Sequence, residues 1–249
     1  MRGLVTPTKS SCTPIVALDV PSAKAALDIV ERLGDAAGFY KVGLELFTRV
    51  GPSFVEELRT RRKRVFLDLK LHDIPNTVAG AVTAACELGV DLLTVHVAGG
   101  PAMLAAARNA GKGDTKLLGV TVLTSMLGEE LAVAWGRPVD DVPSEVVRLA
   151  DMVKRSGLDG VVASGSDAPT LRARFGSGLL LVIPGIRLPG TDRGDQRRVA
   201  TPADAAKAGA DYLVIGRAVT KADDPRAALE AVLADIMRSE SDTSGAKNR

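Results

Sequence analysis

Eight short aliphatic runs recur along the chain, and helical patterns separate them. The runs are PIVALDV (14–20), FYKVGLEL (39–46), RVFLDLK (64–70), DLLTVHV (91–97), KLLGVTVL (116–123), GVVAS (160–164), LLLVIPG (179–185) and DYLVIGR (211–217). Between them lie amphipathic stretches such as SAKAALDIVERLG, SFVEELRTRR, NTVAGAVTAACELG, SEVVRLADMVKRSG and PADAAKAGA. Several of these close on a glycine suited to a helix C-terminus, as at Gly34, Gly89, Gly157 and Gly209. Strands of continuous apolar character alternating with helices predict a parallel sheet covered on both faces. At 249 residues, one closed (β/α)8 TIM barrel accounts for the whole pattern. A doubly wound open sheet is the alternative, but no GxGxxG follows the first run. The expected layout is a single barrel domain over 14–238, with polar, disordered tails at 1–13 and 239–249.

Composition excludes several function classes. The net charge of +2 gives no reason to expect nucleic acid or a membrane surface as partner. One Trp, two Tyr and five Phe are too few for a base-stacking platform. No run reaches the ~18 apolar residues of a membrane span, and the first twelve residues do not read as a secretory signal. Cys12 and Cys86 match no metal spacing and read as reduced thiols, Cys86 on the buried face of a helix. A cytoplasmic protein is expected.

In a barrel of this kind, the informative polar residues stand at the C-terminal ends of the strands. Asp19, Lys41, Asp68, Lys70, His96, Thr124 and Ser125 all fall there. In FLDLKLHDIPNT (66–77), strand alternation puts Asp68 and Lys70 on one face and Leu67 and Leu69 on the other. If the leucines meet the helices, Asp68 and Lys70 point into the mouth, with Lys41 one strand away. Asp73 follows the strand and cannot share that face. Buried charges persist only when each has partners. Spacing leaves two readings, a preorganised catalytic field or an ion-pair network that holds the rim.

The runs "IPGIRLPGTDRGDQRRVATP" and "IGRAVT" follow strands seven and eight, where barrels commonly hold phosphate. Gly216 permits close backbone approach, Arg217 offers a bidentate fork, and the next helix begins there. The long Gly- and Arg-rich loop at 185–198 suits a lid over an anionic ligand. His72 and His96 read as hydrogen-bonding groups. Trp135, in a polar excursion after strand five, is left between packing a loop and meeting a second subunit.

These motifs in order resemble the orotidine 5'-phosphate decarboxylase family. The resemblance is carried by ALD (17–19), KVG (41–43), FLDLKLHDIPNT (66–77), TVLTS (121–125), PGIR, GDQRR and TPADAAKAGADYLVIGRAVT. It implies decarboxylation of orotidine 5'-phosphate to UMP in pyrimidine biosynthesis, without metal or cofactor. Lys70 would protonate C6, Asp68 would face the substrate carboxylate, and Lys41 and Asp73 would complete the charge row. Asp19, Lys41 and Asp73 would contact the ribose, and Thr124 and Ser125 the pyrimidine. Arg187, Gln196, Gly216 and Arg217 would hold the phosphate. It also implies a homodimer in which Asp73 and Thr77 cross the interface, which would explain how Asp73 reaches a site. The rivals are a metal-dependent sugar-phosphate lyase of the same superfamily and a silent barrel that only binds nucleotide phosphate.

Overall fold

The computed structural model describes residues 12–188 and 200–246. Its strands are β1 (Thr13–Ala17), β2 (Phe39–Gly43), β3 (Arg64–Leu71), β4 (Leu92–His96), β5 (Lys116–Val120), β6 (Gly160–Val162), β7 (Leu180–Ile183) and β8 (Tyr212–Ile215). Each pairs in parallel with the next, and β8 returns to β1 through Thr13–Tyr212 and Val16–Ile215, closing the barrel. All eight expected strands are present in the expected order, each within its aliphatic run except that β1 begins one residue earlier and β3 ends one residue later.

Alternation along each strand divides the apolar residues between two cores. Ile15, Ala17, Phe39, Phe66, Leu92, Leu118, Val182 and Val214 fill the interior. Their neighbours, among them Val16, Tyr40, Val42, Val65, Leu67, Leu93 and Ile215, form a second layer beneath the helices. Leu69 is partly buried against that outer layer, so the leucines of β3 face the helices as expected. Burial holds the Tyr40 phenol in its neutral form, with its pKa raised to about 12.

The helices begin and end where local chemistry dictates. The Ser22 hydroxyl accepts from Ala25 N–H at the start of Ala23–Leu33, and Pro75 opens Pro75–Glu87. Gly89 and Gly157, just past helix ends, have φ of +69° and +72°, values open to glycine at little cost. Two segments differ from the expectation. The stretch after β5 carries a helix, Gly128–Trp135, and Trp135 packs against its own chain's outer core with the Arg137 guanidinium over its ring. The last helix, Pro225–Ala246, continues through a segment expected to be a disordered tail. The Ser239 hydroxyl donates to Ile236 O, and each added residue of a formed helix gains a backbone bond without a new nucleation cost. At the other end Cys12 is already buried, while Cys86 is half-buried, and neither forms a disulfide among the described residues.

Candidate active site

Three charged side chains meet at the C-terminal mouth of the barrel because β1, β2 and β3 aim the same parity inward. Ala17 and Phe39 lie in the interior core, and two positions further on come Asp19 and Lys41. Gly43 stands opposite Asp68 in the β2–β3 register. The Lys41 Nζ lies 2.6 Å from Asp19 Oδ1 and 3.7 Å from Asp68 Oδ2. From the other side, Lys70 Nζ donates to both Asp68 oxygens, at 2.9 and 3.0 Å. Asp68 is thus held between two ammonium groups with its side chain 14% exposed.

Burial alone would push the Asp68 carboxyl up. The charges of Lys41 and Lys70, with hydrogen bonds from Lys70 and Thr94, outweigh that effect and hold its pKa below the ordinary range. The carboxylate is therefore ionised at neutral pH, and the row Asp19–Lys41–Asp68–Lys70 alternates in sign.

Gly43 makes the Lys41–Asp19 contact possible. A Cβ at this position would stand 2.6 Å from Asp19 Oδ1 and 2.7 Å from Lys41 Nζ. Its φ of −92° suits any residue, so glycine is required here for space and not for conformation.

The charge row forms one wall of a cavity of about 590 Å³. Asp19, Lys41, Asp68, Lys70, Thr124, Ser125, Arg187, Gly216 and Arg217 all line it. Nine residues singled out in the sequence therefore share one chamber. Arg187 is largely buried, with Nη1 donating to Ile186 O at 2.9 Å, whereas Arg217 is exposed at the start of the short helix Arg217–Thr220. Gln196 lies outside the described residues.

Asp73 and Thr77 do not line this cavity. Asp73 is exposed beyond β3, and its carboxylate accepts from Ile74 N–H at 2.6 Å; Thr77 is exposed on the first turn of Pro75–Glu87. The two histidines come together beside the site. His72 and His96 stack with ring centroids 5.3 Å apart, and His96 Nδ1 accepts from Ala98 N–H. Burial, with the nearby His72 and Lys70, lowers the His96 pKa, so the neutral ring that can accept this bond is favoured. Among the described residues, no three His, Cys, Asp or Glu side chains gather as a metal site would require. Nor is any described helix long and apolar enough to cross a membrane.

Two residues of the site escape a reading based on charge alone. Gly43 is one. Thr94 is the other, and it is fully buried on β4 beneath Asp68. Its inward parity with Leu92 is legible in LLTVH, because a polar residue between interior positions needs a partner there.

Fold and site together define a (β/α)8-barrel enzyme with a fixed row of alternating charges in its mouth. Residues 13–232 match the Orotidine 5'-phosphate decarboxylase / HUMPS family. The chain is 50% identical over 230 residues to an orotidine 5'-phosphate decarboxylase of Moorella thermoacetica, covering 89% of this chain and 91% of that one. It is 51% identical over 223 residues to the Vibrio vulnificus (strain CMCP6) enzyme of the same name, covering 88% and 95%. The crystal structure of orotidine 5'-phosphate decarboxylase from Lactobacillus acidophilus superposes with a TM-score of 0.80 at 37% identity, over 90% of this chain and 98% of that one. The chain belongs to the orotidine 5'-phosphate decarboxylase / HUMPS family.

Proposed function

We propose that the chain converts orotidine 5'-phosphate to UMP and carbon dioxide, the decarboxylation step of pyrimidine biosynthesis, and that Lys70 supplies the proton. The observation that carries this reading is Asp68 fixed between Lys41 and Lys70 on the wall of the cavity, in a chain of this family.

In this reading the substrate carboxylate stands beside Asp68. The bond from C6 to the carboxylate breaks, its electron pair stays on C6, and carbon dioxide leaves. A proton passes from Lys70 Nζ to C6, and the neutral amine recovers a proton from solvent. The pyrimidine ring delocalises the C6 electron pair poorly, so the developing charge must be met by a group already in place. An ammonium held by two hydrogen bonds to Asp68 meets it without reorganisation. Each tenfold gain in rate requires about 1.4 kcal/mol of barrier reduction, so binding of distant groups must contribute as well. Arg187, Gly216 and Arg217 would take the 5'-phosphate, with Gln196 joining them from the loop. Asp19 and Lys41 would hold ribose hydroxyls, and Thr124 and Ser125 the base.

Asp73 and Thr77 would enter the cavity of a second copy of the chain. Supporting this, both are exposed and off the wall of their own cavity, and the large apolar residues Leu44 and Ile74, just beyond β2 and β3, are themselves exposed. Such side chains gain by being covered.

A metal-dependent sugar-phosphate lyase is disfavoured by the donor chemistry. The Asp68 oxygens are engaged by Lys70, Lys41 and Thr94, and two ammonium groups beside a carboxylate oppose a divalent cation. A silent phosphate-binding barrel would leave the ordered charge row without a role. The test is Lys70→Ala, which is expected to abolish turnover while the protein stays folded and melts cooperatively. Unchanged turnover would refute the proton-donor role.

A further inference from the structure

The strand that carries the charge row is irregular where it matters. Phe66 and Leu67 pair with Leu92 and Leu93, but the next pairing joins Leu71 to Val95. Between those pairs β3 advances four residues while β4 advances two, so Asp68, Leu69 and Lys70 bulge from the ladder. Within the bulge Lys70 has φ of +50°, a left-handed conformation that side-chain-bearing residues adopt at a cost. A strict alternation would have put Lys70 on the Asp68 face by parity. Instead its ammonium reaches Asp68 from a strained backbone.

Thr94 stands where the regular ladder is interrupted. The Lys70 N–H donates to Thr94 Oγ1 at 2.8 Å, and the Thr94 hydroxyl donates to Asp68 Oδ1 at 3.1 Å. A hydroxyl has one proton and two lone pairs, so both bonds can be made at once. The threonine is 0% exposed, so bulk solvent does not reach its hydroxyl. Its branched side chain on a strand has few rotamers, which keeps the oxygen in place.

We propose that Thr94 is a positioning residue for the decarboxylation, its hydroxyl tying the Lys70 backbone and the Asp68 carboxylate into one fixed unit. This rests on the reading of Lys70 and Asp68 given above. Thr94 does not line the cavity; it acts through the two groups it holds. Without the hydroxyl, the Lys70 N–H loses its acceptor and Asp68 loses a donor. The bulge then relaxes and the ammonium leaves its place.

The experiment compares Thr94→Val, Thr94→Ala and Thr94→Ser with the wild type, and includes Lys70→Ala, in the same decarboxylation assay and by thermal melting. Val keeps the shape and removes the hydroxyl, whereas Ala and Ser differ from each other by the hydroxyl alone. Thr94→Val and Thr94→Ala should lose about 10- to 100-fold in kcat, equivalent to about 1.4–2.7 kcal/mol. KM should stay within about 3-fold, and Thr94→Ser should recover kcat to within about 3-fold of wild type. If Val does not fold, the Ala and Ser pair still reads the hydroxyl. Wild-type kcat in Val or Ala would overturn the proposal, as would a Ser variant no better than Ala. Failure of both Val and Ala to fold while Ser folds would assign the hydroxyl to stability and overturn it too. An active Lys70→Ala would sink the parent reading. An inactive Lys70→Ala beside a fully active Thr94→Val would sink the positioning role alone.

Discussion

Replacing Gly43 by alanine separates catalysis from stability in a way that the geometry makes quantitative. The added methyl would lie 2.6 Å from Asp19 Oδ1 and 2.7 Å from Lys41 Nζ, against an ordinary contact distance of 3.4 Å. One or both groups must therefore retreat by about 0.7–0.8 Å, which displaces Lys41 from the charge row. The backbone itself accepts alanine, since φ is −92°. The Lys41–Asp19 pair is half open to solvent on the aspartate side, so its loss costs about 0.2–1 kcal/mol after screening. Alanine at a permitted φ returns about 0.4–1 kcal/mol by restricting the unfolded chain. The two nearly cancel, and the melting temperature should move by no more than about 4 °C. Activity has no such compensation. Misplacing a catalytic group by about 1 Å costs on the order of 100-fold, so kcat should fall about 10- to 100-fold. Ultraviolet assay of orotidine 5'-phosphate turnover, paired with a melt followed by circular dichroism, reads both quantities. Wild-type kcat would refute the reasoning. So would a kcat loss accompanied by a melting decrease much larger than 4 °C, because the damage would then be general.

Two further outcomes follow from the same site. The Asp68 pKa is depressed in the fold, so its ionised form contributes stability above the ordinary carboxyl value of 3.8, and that contribution is lost as pH falls through the depressed value. Urea melts should show the wild type losing stability in acid below about pH 4 more steeply than Asp68→Asn; parallel slopes would contradict the assignment. If a partner subunit supplies Asp73, mixing Lys70→Ala and Asp73→Ala chains should restore activity in heterodimers, since one of the two sites would then be intact. Verified heterodimers without activity would count against a shared site.

Elements of the fold and site differ in how plainly the sequence encodes them. The strands are legible because each is a nearly continuous aliphatic run, and sheet parity then places Asp19, Lys41 and Asp68 inward without further information. Asp73 is legible as an outsider for the same reason, since it follows the strand that carries Asp68. The bulge is not legible. Nothing in FLDLKL signals that Lys70 leaves the ladder, because the deviation depends on Thr94, 24 residues away. Gly43 looks like any strand-ending glycine until the side chains of Asp19 and Lys41 are seen to converge over it. The helix Gly128–Trp135 is hard to read because its apolar residues, Leu131 to Trp135, run together without helical spacing, and Leu131 is its only fully buried one.

The most direct test of the central claim is to mix the purified protein with orotidine 5'-phosphate in excess EDTA and follow the ultraviolet change as orotate becomes uracil. Rapid conversion to UMP that EDTA does not slow is the expected result. A folded protein that leaves the substrate untouched, or converts it only when a divalent metal is restored, would contradict it.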